Sequence, residues 1–140
     1  MIRVATIEEA YQAFSNIPEL DRYLSPDEFN SRIPHDALVL VYEVEQELAG
    51  FKIGYPLDGV EFYSWLGGVL PGFRNRGIAQ ELLDYQERRV IEQGYQRISV
   101  KSMNRYSLMI RFLVKNGYKI AKVEDFDTDK ERIHFLKHLP

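Results

Sequence analysis

The chain has 140 residues, of which 45% are hydrophobic and 28% charged, with a formal net charge of −3. That composition predicts a single domain, residues 1–140, with a core large enough to fold alone, and it excludes a disordered chain. Zero cysteines exclude disulfides, a thiolate nucleophile and a cysteine-ligated metal, and no run approaches the roughly 18 apolar residues of a membrane span, so we expect a cytoplasmic protein with no membrane contact.

The first part of the sequence predicts a short strand followed by helices. Residues 2–5 favour a strand, and Thr6 is a candidate helix N-cap because Glu9 stands three residues later, the spacing of a capping box. Helices should fill much of residues 7–33, with an interruption and a restart after Ser25, which a proline follows at a favoured first helical position.

Three strands should come next and form an antiparallel meander. Leu38–Val44 is rich in β-branched and apolar residues, and residues 47–55 and 59–70 continue this pattern. Proline, aspartate and glycine at residues 56–59 predict the turn before the third strand.

A basic turn containing glycine follows the third strand and opens an amphipathic helix. Residues 74–79 are Arg-Asn-Arg-Gly-Ile-Ala. The first N–H groups of a helix have no intrahelical acceptor and lie at the positive end of its dipole, so they bind anions well. Gly77 lacks the Cβ that would block a close approach. Neither G-x-x-x-x-G-K-[ST] nor G-x-G-x-x-G is present, so the pattern predicts a polyphosphate site of another kind.

The rest of the chain predicts two more helices, a strand and a hairpin. The helix after the turn should end at Gly94 and pack through an apolar stripe of Ile78, Ala79, Leu82, Leu83 and Val90. Residues 97–101 favour a strand, and Asn104 can cap the next helix. The buried face of that helix is predicted to be Leu108, Met109, Phe112 and Leu113. Residues 118–123 and 133–138 favour a closing hairpin.

Charge is distributed unevenly along the chain. Residues 95–123 contain seven basic and no acidic residues, which leaves 11 basic and 21 acidic residues elsewhere. Such a division can attract a small polyanion to one side of the molecule. Nucleic acid is another polyanion, but the chain as a whole is acidic and has no recognisable DNA or RNA module, so we expect no nucleic-acid partner.

The turn carries a family resemblance. Arg-x-x-Gly-x-Ala at residues 74–79, after Val-Leu-Pro at residues 69–71, resembles the [Q/R]-x-x-G-x-[G/A] signature of the GNAT family of N-acetyltransferases. Lys-Asn-Gly-Tyr at residues 115–118 is similar to the family's K-x-G-F. The resemblance is specific over residues 60–118 and implies the α/β GNAT fold, a mixed, mostly antiparallel sheet of about six to seven strands with a splayed central pair and about four flanking helices.

The resemblance implies acetyl-CoA as cosubstrate. In the family the turn binds the pyrophosphate, and the pantetheine arm lies between the two central strands, where it pairs with backbone near Val69 as an extra strand would. The implied contacts are Val69, Leu70, Arg74, Asn75, Arg76, Gly77, Ile78, Ala79 and Asn104. No metal is expected, because the aspartates at positions 125, 127 and 129 lack the glycine and glutamate of a calcium loop.

The same resemblance implies transfer of an acetyl group to an amine of a small molecule, peptide or protein, directly within a ternary complex. An alkyl amine is mostly protonated at neutral pH, so a base must accept a proton. The family's usual carboxylate position aligns with Tyr63, and Glu61 lies two residues earlier on the same strand face, so both are candidates. The family position of the tyrosine that protonates the CoA thiolate holds Leu113, and Tyr106 is the alternative acid.

Two other classes remain open at this stage. Because a leucine occupies the acid position, the chain can also be a regulatory domain that binds acyl-CoA without turnover, and a nucleic-acid-binding module is the third hypothesis. For the enzyme we expect acetyl-CoA and an amine as partners and a monomeric or homodimeric state.

Overall fold

Seven strands form one mixed sheet in the computed structural model, which describes residues 1–20, 24–103 and 106–140. The strands are β1 (Ile2–Val4), β2 (Leu38–Val44), β3 (Glu47–Pro56), β4 (Glu61–Val69), β5 (Arg97–Ser102), β6 (Lys119–Glu124) and β7 (Arg132–His138). Their order is β1-β2-β3-β4-β5-β7-β6, and only the β4–β5 pair among these neighbours is parallel. The described helices are α1 (Ile7–Ser15), α2 (Pro26–Ser31), α3 (Ile78–Glu92) and α4 (Ser107–Lys115).

This architecture confirms the predicted GNAT fold, and the meander of β2, β3 and β4 has the predicted order. The start of β4 lies two residues later than predicted because the Asp58 carboxylate accepts the N–H groups of Val60 and Glu61 at 2.8 and 2.7 Å and so extends the turn. Leu70 follows β4 and begins a short 3₁₀ turn, Pro71–Phe73. Among the described helices, none is both long and apolar enough to cross a membrane.

Helices α1 and α2 begin with complete capping boxes, as the sequence predicts. The Thr6 hydroxyl accepts the Glu9 N–H at 3.1 Å, and the Glu9 carboxylate accepts the Thr6 N–H at 3.1 Å. Ser25 and Glu28 repeat this exchange with both distances at 3.2 Å. Each box satisfies a donor that the first helical turn leaves without a backbone acceptor.

A hydrophobic core lies on each face of the sheet. On one face, α1 and α2 pack phenylalanine rings against β3, with Phe14, Phe29 and Phe51 fully buried. On the other face, α3 packs Leu82 and Leu83 against the sheet. Because the sheet is covered from both sides, its backbone is positioned rigidly under any site built on β4.

Two predictions about buried faces are wrong. Leu108 and Met109 are 79% and 40% exposed, and only Leu113 of the predicted α4 face is fully buried. The packed side of α4 is rotated toward Ile110, because helical period fixes relative angles but not which side meets the sheet. Ala79 is exposed although it shares the angular range of the α3 stripe, since it lies in the first turn, at the end of the helix.

Candidate active site

The central strands separate at a defined point. Strands β4 and β5 pair in parallel from Glu61 opposite Arg97 to Ser64 opposite Val100. Beyond Ser64, β4 continues to Val69 with pairing only to β3 within the described residues. A shift in the β3–β4 register leaves Trp65 as an extra residue, a β-bulge, where the parallel pairing ends. The result is a gap bordered on one side by the second half of β4.

The second half of β4 directs backbone groups that have no strand partner among the described residues toward this gap. The Leu70 N–H donates to the Ala49 carbonyl of β3 at 2.8 Å, so the backbone groups of residue 70 point toward β3. Alternation along a strand then directs the backbone groups of Val69 and Gly67 toward the gap. The Arg74 Nε donates to the Val69 carbonyl at 3.1 Å, which agrees with that direction.

The turn after β4 opens into the first turn of α3. Asn75 and Gly77 adopt positive φ values of 63° and 79°, and Gly77 is the N-cap residue of α3 without any side-chain cap. The first bond into the helix is donated by the Glu81 N–H to the Gly77 carbonyl at 3.0 Å. Across the described ranges, no protein acceptor contacts the backbone N–H groups of residues 75–80. These donors lie at the positive end of the α3 dipole, the arrangement that binds phosphate.

The predicted acetyl-CoA contacts within residues 69–79 therefore lie together at one end of the sheet, although their side chains differ in role. Ile78 is buried in the α3 core, so it can offer only backbone to a ligand, whereas Leu70 is half-buried on the α1 side of the sheet. The Arg74 guanidinium donates to the Glu19 carboxylate at 2.6 Å, and Arg76 lies over the Phe73 ring at 5.3 Å. Asn104 lies outside the described residues.

Glu61 is held by an ion pair. Its carboxylate accepts the Arg97 Nε–H at 2.7 Å across the parallel β4–β5 pair, with side-chain exposures of 20% and 33%. Glu61 precedes Ser64, where the pairing ends, by three residues, a separation of roughly 10 Å along the strand. A proton from a group in the gap would reach this carboxylate through intervening water.

Tyr63 lies closer to the gap and is 9% exposed. Its ring contacts Tyr55 edge to face at 5.5 Å between centroids, and the Lys101 Nζ lies 5.6 Å from its centroid. Burial raises the pKa of Tyr63 to about 12, with a further increase from Tyr55, while Arg32 and Arg132 act in the opposite direction. The hydroxyl is therefore protonated at neutral pH and is able to donate a hydrogen bond to a ligand.

The two residues considered for the acid role have different positions. Leu113 is 2% exposed and belongs to the core on the α3 side, so it is a packing residue. Tyr106 is half-buried immediately before α4, and its N–H donates to the Met103 carbonyl at 2.9 Å. It thus follows the end of β5, the strand on the other side of the gap.

The structure adds three cations that the sequence patterns did not reveal as a group. Arg32 follows α2 and lies over the Trp65 ring at 4.9 Å, Lys101 lies over Tyr63, and Arg132 begins β7. All three lie on the sheet face that carries α1 and α2. Arg32 and Arg132 both lower the pKa of Tyr63 electrostatically, so they lie near its hydroxyl. We call the exposed surface around Tyr63 and Trp65 that carries Arg32, Lys101 and Arg132 the cationic cleft. No sequence signal joins these residues, because Arg32 and Arg132 are 100 positions apart.

Comparisons with known proteins agree with this geometry. The acetyltransferase (GNAT) family profile matches residues 4–118, so the chain belongs to that family. Among solved structures, Ard1 from Thermoplasma volcanium superposes with a TM-score of 0.87 at 19% identity, covering 100% of this chain and 97% of that one. The ribosomal-protein-S18-alanine N-acetyltransferase from Escherichia coli gives 0.86 at 15% identity, covering 99% and 92%.

A GNAT family acetyltransferase from Elizabethkingia anophelis with acetyl-CoA bound gives a TM-score of 0.79 at 14% identity, covering 99% of this chain and 97% of that one. At these identities the structural likeness concerns the fold, and the family assignment follows from the profile match.

Proposed function

We propose that this protein is an acetyl-CoA-dependent N-acetyltransferase that transfers the acetyl group directly to an amine in a ternary complex. The observation that carries the proposal is the run of open backbone N–H groups at residues 75–80, placed at the end of the strand that borders the gap. A pyrophosphate at these donors would satisfy them and lie at the positive end of the α3 dipole. The Elizabethkingia relative with bound acetyl-CoA supports the choice of ligand.

The pantetheine arm would extend from the turn into the gap. The backbone groups of Val69 and Gly67 point that way and can pair with the arm's amides, as a β-strand would pair with an added strand. Arg74 donates to the Val69 carbonyl in the free protein, so binding would require this side chain to move toward the phosphates. The thioester would then lie near Trp65, where the β4–β5 pairing ends.

The reaction joins the amine nitrogen to the thioester carbonyl carbon and breaks the C–S bond. A protonated amine gives up two protons in all, one before the attack and one as the amide forms. The CoA sulfur leaves as a thiolate that takes up one proton from Tyr106 or water, so one proton is released to solvent overall. A thiolate is stable enough to leave without an acid, so Leu113 at the family's acid position does not prevent turnover.

For the base we propose Glu61 acting through water, because the Arg97 ion pair and the distance along β4 both keep its carboxylate from direct contact. Tyr63 is assigned a positioning role as a hydrogen-bond donor, since its high pKa makes it a poor base. The fold would supply much of the rate by holding amine and thioester together.

A non-catalytic acyl-CoA-binding domain is the second candidate. Two observations favour it: Leu113 is a buried core residue, and Glu61 is already paired with Arg97. Both candidates predict acetyl-CoA binding, and only the enzyme predicts product.

Incubation with acetyl-CoA and a broad panel of amines and peptides, with detection of free CoA thiol and acetylated product, tests the proposal. Release of CoA that depends on the amine supports the enzyme. Calorimetric binding of acetyl-CoA without release for any amine supports the second candidate, and absence of binding overturns both.

A further inference from the structure

The cationic cleft carries more positive charge than its own carboxylates balance. In the part of the chain that the structure describes, no carboxylate oxygen lies within 4.0 Å of the charged nitrogens of Arg32, Lys101 or Arg132. Two nearby carboxylates have other partners. Glu61 accepts from Arg97 at 2.7 Å. Glu124 contacts Lys122 at 3.3 Å and His134 at 3.0 Å, and Lys101 adds a smaller electrostatic interaction with it.

The cleft is too far from the phosphate turn to serve the cofactor's phosphates. Tyr63 and Val69 are six residues apart on β4, a separation of about 20 Å along an extended strand. The pantetheine arm would occupy that length, so the cleft lies at the thioester end of the gap. Its three cations come from α2, β5 and β7, so they converge on one space from separate elements.

The floor of the cleft is aromatic and ordered by packing. The Trp65 ring packs on Phe29 at 5.7 Å and lies under Arg32, and Tyr63 packs edge to face on Tyr55 at 5.5 Å. Arginine over an aromatic face keeps its N–H edge free for a planar anion, which a carboxylate fits with two hydrogen bonds.

We propose that the cationic cleft binds the acceptor and selects an amine that carries a carboxylate close to the amine, as in a free amino acid or a short acidic peptide. This inference rests on the proposed acetyltransferase function. Arg32 and Arg132 anchor the carboxylate, while Lys101 and the aromatic floor orient the amine toward the thioester. A polycationic acceptor meets three like charges and is rejected. The excess positive charge also favours the unprotonated amine, which is the form that attacks.

The test compares matched acceptors. Each amine with a carboxylate is assayed beside the matching carboxamide. The pairs are free amino acids such as phenylalanine with their amides, and short peptides that have aspartate or asparagine after the N-terminal residue. Spermidine and an aminoglycoside serve as cationic acceptors. We expect kcat/KM to be at least tenfold higher for the carboxylate member, a charge-assisted pair being worth roughly that factor or more. The free amino acid and peptide arms identify the source of the carboxylate.

Charge-reversal variants test which residues cause the preference for acceptors with a carboxylate. Arg132→Glu and Arg32→Glu should each remove the preference for the carboxylate member, mainly through KM, and leave acetyl-CoA affinity unchanged. Arg88→Glu is the matched control, because Arg88 is exposed on α3, away from the cleft, and lies over Tyr85 at 5.7 Å. Three results would overturn the inference: equal kcat/KM for the carboxylate and carboxamide members, higher kcat/KM for the cationic acceptors, or no effect of Arg132→Glu. In each case, turnover of acetyl-CoA with any amine would still support the proposed acetyltransferase function. Failure of the wild type to bind acetyl-CoA would overturn both.

Discussion

Helices α1 and α2 satisfy their own N-termini, whereas α3 leaves its first N–H groups open. Thr6 and Ser25 cap the first two helices with side-chain oxygens that Glu9 and Glu28 reciprocate. Helix α3 starts at Gly77, which has no side chain to accept a hydrogen bond. The three helices therefore differ at the one place where backbone donors need a partner.

The caps of α1 and α2 contribute to the stability of the fold, whereas the open N-terminus of α3 is suited to binding an anion. A good N-cap is worth about 1 kcal/mol, so the absence of a side-chain cap at α3 leaves out a stabilising contribution that α1 and α2 have. Gly77 has no Cβ and adopts the left-handed conformation, and a Cβ built there would meet open space, so the space beside the donors is free for a ligand. Side chains therefore close the first turns of α1 and α2, and the first donors of α3 are left for an anion.

The largest expected effect comes from closing that open end. Gly77→Val places a β-branched residue at φ 79°, which disfavours the turn and puts two methyl groups beside the donors. We expect acetyl-CoA affinity to fall by about 100-fold or more, measured by calorimetry, which corresponds to about 3 kcal/mol.

Gly94→Val is the matched control for Gly77→Val. Gly94 has a φ of 89° and open space at its Cβ position, but it lies past the other end of α3. It should lower stability by a similar amount and retain acetyl-CoA affinity. A similar loss of acetyl-CoA affinity in both variants would show that strain in α3 causes the effect, and the turn at Gly77 would then not be the phosphate site.

The second largest effect is expected on kcat, from substitutions in β4 that leave cofactor binding at α3 intact. Glu61→Gln should lower kcat by about 100-fold, the lower range for a positioned base, and leave acetyl-CoA affinity nearly unchanged. Tyr63→Phe should have the smaller effect on kcat. A reversed order of the two variants would assign the base to Tyr63, and no effect of either would leave deprotonation to solvent.

A smaller effect is expected at the capped helices. Thr6→Ala and Ser25→Ala should each lower the free energy of unfolding by about 1 kcal/mol in urea titrations, because each leaves a first-turn donor unpaired. Neither should change acetyl-CoA affinity. If Thr6→Ala weakened cofactor binding as much as Gly77→Val does, the proposed division between capped and open helices would be wrong.

The smallest effect is a pH dependence of the α1 cap. The Arg3 hydrogen bond, with help from the Thr6 backbone, lowers the pKa of Glu9 from 4.5 to about 2. Because the folded pKa is the lower one, the carboxylate stabilises the fold above pH 4.5, and this contribution is lost as the pH falls toward 2. Glu9→Gln should flatten the fall of unfolding free energy in that window, whereas Glu8→Gln, which leaves the capping box intact, should retain it. Identical curves for the wild type and Glu9→Gln would refute the assignment.

The sequence predicted the elements whose signals are local. Capping boxes at Thr6 and Ser25, the bounds of Leu38–Val44 and the glycine turn at Gly77 depend on residues within a few positions of one another, and the structure has them as expected. Local signals suffice there because the interaction that forms each element is itself short in sequence.

Features that depend on packing between distant elements were not predictable in this way. Leu108 is exposed because the orientation of α4 on the sheet decides its buried side, and the bulge at Trp65 depends on the register with β3. The ion pair of Glu61 with Arg97 links β4 to β5, two strands that are separated along the chain by α3. Each of these features forms only once the sheet has assembled, so the periodicity of a single segment does not predict it.

Amide protection at the helix N-termini is the most direct measure of whether α3 binds the cofactor's phosphates. Hydrogen exchange followed by NMR, with and without acetyl-CoA, compares the amides of residues 78–80 with those of Glu9 and Glu28. The cap amides already have acceptors at 3.1 and 3.2 Å, so they should be protected in both states, while the amides of residues 78–80 should exchange rapidly in the free protein and become protected on binding. Protection that appears elsewhere while residues 78–80 stay unchanged would contradict the phosphate site at α3.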